Sequence, residues 1–217
     1  MSEAVNQKTR LVYICNPNNP TGTITPGEEL WKFCEATSEK VPVFVDEAYL
    51  EFMNKSDQKS MVGLIGKGKD IIVSRTFSKV YGMAGLRVGY VVAPPALLDE
   101  IRKTWRSNMG LNITALKGAI AAIEDKTFVK ASIEKNAAAR AYVCAELEKM
   151  GFDYLPSQTS FVLFPIDMKG DVFLKSMREL GIGVRAFEVF GQSHCRVSIG
   201  TMAEMELFVN SLKQVLA

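Results

Sequence analysis

No two of the four cysteines (Cys15, Cys34, Cys144 and Cys195) stand at C-x-x-C spacing. The sequence therefore signals neither a zinc site nor a disulfide scaffold, and reduced, mostly buried thiols are expected. Histidine is scarcer still: His194 is the only one, and nothing near it in the chain equips it as a base. Charge of one sign has almost no excess. A net charge of +2 favours no partner by itself, and with no Lys/Arg-rich block no nucleic-acid partner is expected. Long apolar runs are missing too, so no membrane span is expected. The first ten residues lack the apolar core of a signal peptide, which points to a cytoplasmic protein. Gly66-Lys67-Gly68 reads as a turn and not a nucleotide loop, because no helix-opening third glycine follows.

What remains is an ordinary globular composition in a chain of 217 residues, enough to bury a substantial core. Its first half alternates short apolar runs with helical patterns. Strands are expected at Leu11 to Cys15, Val41 to Val45, Ile71 to Val73 and Val88 to Ala93. A helix is expected from about Pro26, with Glu28 and Glu29 in its first turn, where negative charge suits the helix dipole. Continuously apolar strands between helices imply an α/β fold, a mostly parallel sheet covered by helices. The second half has a different texture. Helices are expected near 95–106 and 114–124, then a long one from Lys126 to Met150 that stops at Gly151. Strands at Phe152 to Leu155, Ser160 to Pro165 and Cys195 to Ile199, a helix near 171–180 and a final helix complete a smaller α+β domain. The division expected is residues 1–124 and residues 125–217.

Polar residues gather just after the strands of the first half. In open α/β sheets ligands bind beyond the carboxyl ends of the strands, so Asn19, Asp46, Tyr49 and Lys79 are expected to converge on one crevice. Lys79 is the most informative of them. Thr76 and Ser78 precede it by three and one residues, and Arg87 follows by eight. Hydroxyls and a guanidinium suit a phosphate, and an amine bonds to a carbonyl, so the segment is equipped to hold a phosphorylated aldehyde. Pyridoxal phosphate is such a molecule. Its ring nitrogen needs a carboxylate partner, which Asp46 supplies, and Tyr49 is placed to reach the ring's phenolic oxygen. Each residue also has a plainer reading. Alone, Asp46 is an N-cap or solvated strand end, Asn19 a turn residue, Lys79 a surface lysine, and Arg87 a solvated or salt-bridged arginine. Arg196, on an expected strand, asks for an anionic partner that a structural ion pair would satisfy equally well. Arg185, ending Gly181-Ile182-Gly183-Val184, is weaker evidence. Taken jointly and in this order, the plain readings fail.

Asn16-Pro-Asn-Asn-Pro-Thr-Gly22, Val45-Asp-Glu-Ala-Tyr49, Ser74-Arg-Thr-Phe-Ser-Lys79, Ala84-Gly-Leu-Arg-Val-Gly-Tyr90 and Arg196-Val-Ser-Ile-Gly-Thr201 together resemble the class I/II aminotransferases of pyridoxal-phosphate fold type I. Within them the pattern is nearest the histidinol-phosphate aminotransferase branch. The resemblance covers essentially the whole chain and implies a role for each motif. Lys79 would hold the cofactor covalently and move a proton as the free amine, and Asp46 would pair with the pyridine nitrogen. Asn19 and Tyr49 would contact the phenolic oxygen, and Thr76, Ser78 and Arg87 the phosphate. Arg196 would bind the substrate's anionic group, with Arg185 assisting. It also implies a homodimer that moves an amino group from a small-molecule donor such as glutamate to a 2-oxo acid or a phosphorylated ketone. Decarboxylases, lyases and racemases share the same cofactor contacts. Family members are longer before the residue matching Leu11, so the chain is expected to be a truncated member with an unpaired sheet edge, and a piece without activity is a third reading.

Overall fold

The computed structural model describes residues 1–104, 110–189 and 191–216. The chain folds into two compact units, Met1–Asn18 with Ile24–Val129, and Asn19–Thr23 with Lys130–Ala217.

The first unit is built on a four-stranded sheet: β1 (Val12–Cys15), β2 (Val43–Asp46), β3 (Ile71–Thr76) and β4 (Gly89–Val92), in the order β1-β2-β3-β4. β1, β2 and β3 run parallel and β4 antiparallel to β3. Parallel neighbours need a crossover. α1 (Gly27–Thr37) supplies it between β1 and β2, and α2 (Val62–Ile65) lies between β2 and β3. Alternation along the strands sends Val43, Val45, Ile71 and Val73 to one face, where they are fully buried with Leu30 and Cys34 of α1 and Leu64 of α2. The opposite face carries Tyr13, Phe44, Asp46, Ser74 and Thr76. Tyr13 on β1, the edge strand, and Tyr90 and Val91 on β4 are exposed. Helices α3 (Pro95–Thr104) and α4 (Ile113–Glu124) follow. Asn112 caps α4 by accepting the Thr114 N–H at 2.8 Å. Ala115 and Ala119 of α4 pack on Phe77 and Val88, which bracket the lysine segment. The helix expected near 95–106 is seen as α3, and residues 105 and 106 lie outside the described residues.

The long helix α5 (Lys126–Lys149) runs on into the second unit. There β5 (Phe161–Pro165), β6 (Arg185–Val189) and β7 (Gln192–Ser198) form an antiparallel sheet in the order β5-β7-β6, accompanied by α6 (Gly170–Glu179) and α7 (Met202–Leu216). Its core is Phe164, Phe173, Phe208, Leu147, Met177 and their neighbours. One expectation fails here, and one strand was missed. Phe152 to Leu155 is not a strand: Leu155 alone bridges to Leu163, and Pro156 next to it has no N–H to extend a ladder. β6 was not among the expected strands, and it pairs with β7 over five residues. Among the described residues no helix is long and apolar enough to cross a membrane.

Candidate active site

β2 ends in Asp46 and β3 in Thr76, and their register sets Asp46 beside Ser74. The Asp46 carboxylate is held on both oxygens. Oδ1 accepts the Ala48 N–H and the Ser74 hydroxyl, each at 3.1 Å, and Oδ2 accepts the Tyr13 hydroxyl at 3.2 Å. Tyr13 stacks on Phe44 with ring centroids 5.5 Å apart, which keeps its hydroxyl aimed along the strand end. Partial burial, and then the charge of Asp46, push that hydroxyl up to about 12, so it stays a donor at neutral pH.

After β3 the chain turns sharply. The Ser78 N–H donates to Thr76 Oγ1 at 3.0 Å, and the Gly82 N–H to the Lys79 carbonyl at 2.9 Å. This presents Lys79 to solvent with its Nζ 5.1 Å from the centroid of the buried Tyr49 ring, a cation–π distance. Arg87, at φ +53°, is the one non-glycine residue with positive φ among the described residues. A left-handed non-glycine residue costs about 1–2 kcal/mol, and such strain gathers at ligand sites. Its guanidinium is exposed and donates to the Ala84 carbonyl at 2.8 Å. The ends of β2 and β3 and the segment after them thus carry a fixed carboxylate (Asp46), the hydroxyls of Ser74, Thr76 and Ser78, the amine of Lys79 and the guanidinium of Arg87. This donor set fits pyridoxal phosphate: a carboxylate for a ring N–H, an amine for a carbonyl, and hydroxyls with a cation for a phosphate.

Asn19 belongs to the second unit. It accepts a hydrogen bond from Arg196, 177 positions away in sequence, and Gly22 in the same turn accepts the Gln158 N–H at 3.0 Å. Arg196 lies between the rings of Phe161 and Phe187, with centroids at 4.8 and 5.1 Å. Arg185 opens β6 directly across from Arg196 on β7. Two like charges opposite each other repel, and an anion beside them relieves that repulsion. Neighbouring Asn16 is a structural residue: buried, it bonds the Thr25 backbone through both ends of its amide, at 2.8 and 3.1 Å.

Sequence reasoning missed Tyr13, Glu47 and Arg75. Glu47 is 1% exposed, and Arg75 meets it at 2.7 Å. A signal was available in both cases: each charged residue continues a buried apolar row by twos (Val43, Val45, Glu47 and Ile71, Val73, Arg75), and their signs are opposite.

Comparison with known proteins identifies what the chain resembles. Histidinol-phosphate aminotransferase 2 of Carboxydothermus hydrogenoformans is 38% identical over 218 residues, covering 100% of this chain and 60% of that protein. Histidinol-phosphate aminotransferase 2 of Methylococcus capsulatus is 39% identical over 217 residues, with 100% and 58% covered. The crystal structure of histidinol-phosphate aminotransferase from Sinorhizobium meliloti, in complex with pyridoxal-5'-phosphate, superposes with a TM-score of 0.84 at 31% identity over 95% of this chain and 57% of that one. The chain therefore spans about 60% of the length of the curated relatives it matches. Residues 1–212 match the family described as aminotransferase class I and II, and with that match over nearly its whole length the chain belongs to this family.

Proposed function

We propose that the chain binds pyridoxal phosphate and carries the lysine-bearing part of an aminotransferase that acts on an amino-acid donor such as glutamate and a 2-oxo acid or phosphorylated ketone. The observation that supports this most is the Asp46 carboxylate, fixed by Ser74 and Tyr13 on the sheet face where β3 leads into Lys79. When bound, pyridoxal phosphate serves as an electron sink for negative charge at the substrate's α-carbon. Asp46 keeps a proton on the ring nitrogen. Lys79 holds the cofactor's carbonyl carbon and, as the free amine, accepts a proton at Nζ and returns it. Asn19 and Tyr49 would contact the phenolic oxygen, and Thr76, Ser78 and Arg87 would hold the phosphate. Arg196, assisted by Arg185, binds the substrate's anionic group through the planar fork that suits carboxylate and phosphate alike. A cofactor-holding domain over residues 1–124, a small domain over 125–217, a homodimer and a cytoplasmic location belong to the same proposal.

The experiment is a titration of the 217-residue chain with pyridoxal phosphate, followed by absorbance, beside Lys79→Ala. Saturable uptake with a visible band in the wild type and its loss in the variant are expected. An unaltered spectrum in Lys79→Ala would sink the assignment. Exchange of label between glutamate and 2-oxoglutarate then decides the reaction; cofactor uptake without exchange favours a decarboxylase, a lyase or an inactive piece.

A further inference from the structure

Asp46 and Glu47 are consecutive, as are Ser74, Arg75 and Thr76, so strand alternation sends their side chains to opposite faces of the sheet. Beneath the candidate site lies a second polar cluster. Glu47 Oε1 accepts the Met61 N–H at 2.7 Å. Its Oε2 takes the Ser60 hydroxyl at 2.9 Å and two guanidinium nitrogens of Arg75, Nε at 2.8 Å and Nη2 at 2.7 Å. The third nitrogen, Nη1, reaches Glu51 at 2.9 Å. Glu51 sits in the short 3-10 turn Leu50–Phe52 that follows Tyr49. Every anchor is therefore one or two residues from a candidate site residue: Glu47 from Asp46, Glu51 from Tyr49, Arg75 from Ser74 and Thr76.

We propose that the Glu47–Arg75–Glu51 cluster is a positioning device for the cofactor site, setting the spacing between the ends of β2 and β3 and so where Asp46, Tyr49 and Lys79 stand. The assignment rests on the reading of the site given above. Its geometric basis is the guanidinium fork, whose nitrogens have fixed directions, so one arginine holds two carboxylates at a set separation; a lysine ammonium lacks that constraint. The backbone follows the same coupling. The Glu47 N–H donates to the Ser74 carbonyl at 3.1 Å, so movement of Glu47 and Arg75 relative to each other moves the Asp46–Ser74 pair on the other face.

The test compares Arg75→Lys and Glu47→Gln with wild type and with Glu28→Gln, which breaks only the exposed pair to Lys59. Three quantities are read well below each variant's melting midpoint. They are the dissociation constant for pyridoxal phosphate, the pH midpoint of the bound cofactor's visible absorbance, and hydrogen exchange of residues 46–49 and 74–79 in the cofactor-free chain. Outer partners of metal-ligating side chains typically carry a factor of 10–100 in affinity, and on the same positioning argument a weakening of roughly tenfold is expected for Arg75→Lys and Glu47→Gln. A moved pH midpoint and faster exchange confined to those two segments are expected with it, and Glu28→Gln should match wild type. Lower melting midpoints with unchanged affinity, pH midpoint and exchange would overturn the proposal, leaving the cluster a stabilising feature only. Should the inner variants not fold, Glu51→Ala, which removes only the outer carboxylate, gives the same comparison. If wild type takes up no pyridoxal phosphate, the reading of the site fails. Exchange then decides by itself whether the cluster holds the two segments.

Discussion

Arg75→Met leaves Glu47 buried without its cation, and the consequence can be worked out from the contacts. Methionine preserves much of the arginine stem, so the change is mainly one of charge. Glu47 keeps the Met61 N–H and the Ser60 hydroxyl and loses both guanidinium bonds. Removing one partner of a buried ion pair costs about 3–5 kcal/mol. The lower end is expected here, since the two remaining hydrogen bonds still stabilise the carboxylate. Against a typical total of about 5–15 kcal/mol, that is a large share of the stability.

The pH dependence has a definite sign. Burial already raises the Glu47 pKa above 4.5, and the charge of Arg75 is the largest effect opposing it. Without Arg75 the folded-state pKa rises further, while the unfolded one is unchanged. The folded state then binds the extra proton across the window from the ordinary glutamate value up to the raised one. Stability falls as pH rises through that window and is flat above it. The penalty at pH 5 should therefore be smaller than at pH 8, by about 1.4 kcal/mol for each unit of further rise that the two pH values span. Urea denaturation followed by circular dichroism and tryptophan fluorescence, at both pH values in wild type and variant, measures it. A penalty below about 1 kcal/mol, or one equal at pH 5 and pH 8, would refute the reasoning.

Other outcomes follow from single contacts. Tyr13 is 56% exposed and stacked on Phe44, so Tyr13→Phe should change stability by less than about 1 kcal/mol in urea denaturation. Asp46→Asn removes a charge that raises the Tyr13 hydroxyl, and should lower its phenolate midpoint in an ultraviolet pH titration; the shift should vanish in a Tyr13→Phe background. Phe164 is fully buried and meets the edges of Phe152 and Phe208 at 5.2 and 6.4 Å, so Phe164→Ala should destabilise the second unit by about 3–5 kcal/mol. A loss below about 1 kcal/mol would show that this core repacks freely.

Local pattern carried the first sheet a long way. Short apolar runs mark all four strands, two of them closed by Asn16 and Pro94, because a strand with a face packed under helices must be largely apolar. The end of β3 was hidden: Ser74-Arg75-Thr76 looks like the start of a loop, and only pairing with β2 and β4 keeps it extended. β6 was hidden for the opposite reason. Arg185 to Val189 alternates well enough, but two nearby glycines outweigh it locally, and its partner β7 decides the matter. Motif order led to the family, while the supporting contacts were illegible. Tyr13 reaches Asp46 across 33 positions, and Arg75 reaches Glu47 across 28. Contacts at that range depend on strand register, which a single sequence specifies only through the completed fold.

The central claim is that Lys79, and no other amine of the chain, holds pyridoxal phosphate. Borohydride reduction of the loaded 217-residue chain, followed by peptide mapping, tests it directly, since reduction fixes the cofactor to whichever amine carries it. One modified peptide containing Lys79, at one cofactor per chain, is the result predicted. Label scattered over exposed lysines such as Lys67 and Lys130, or a Lys79 peptide left unmodified at saturation, would contradict it.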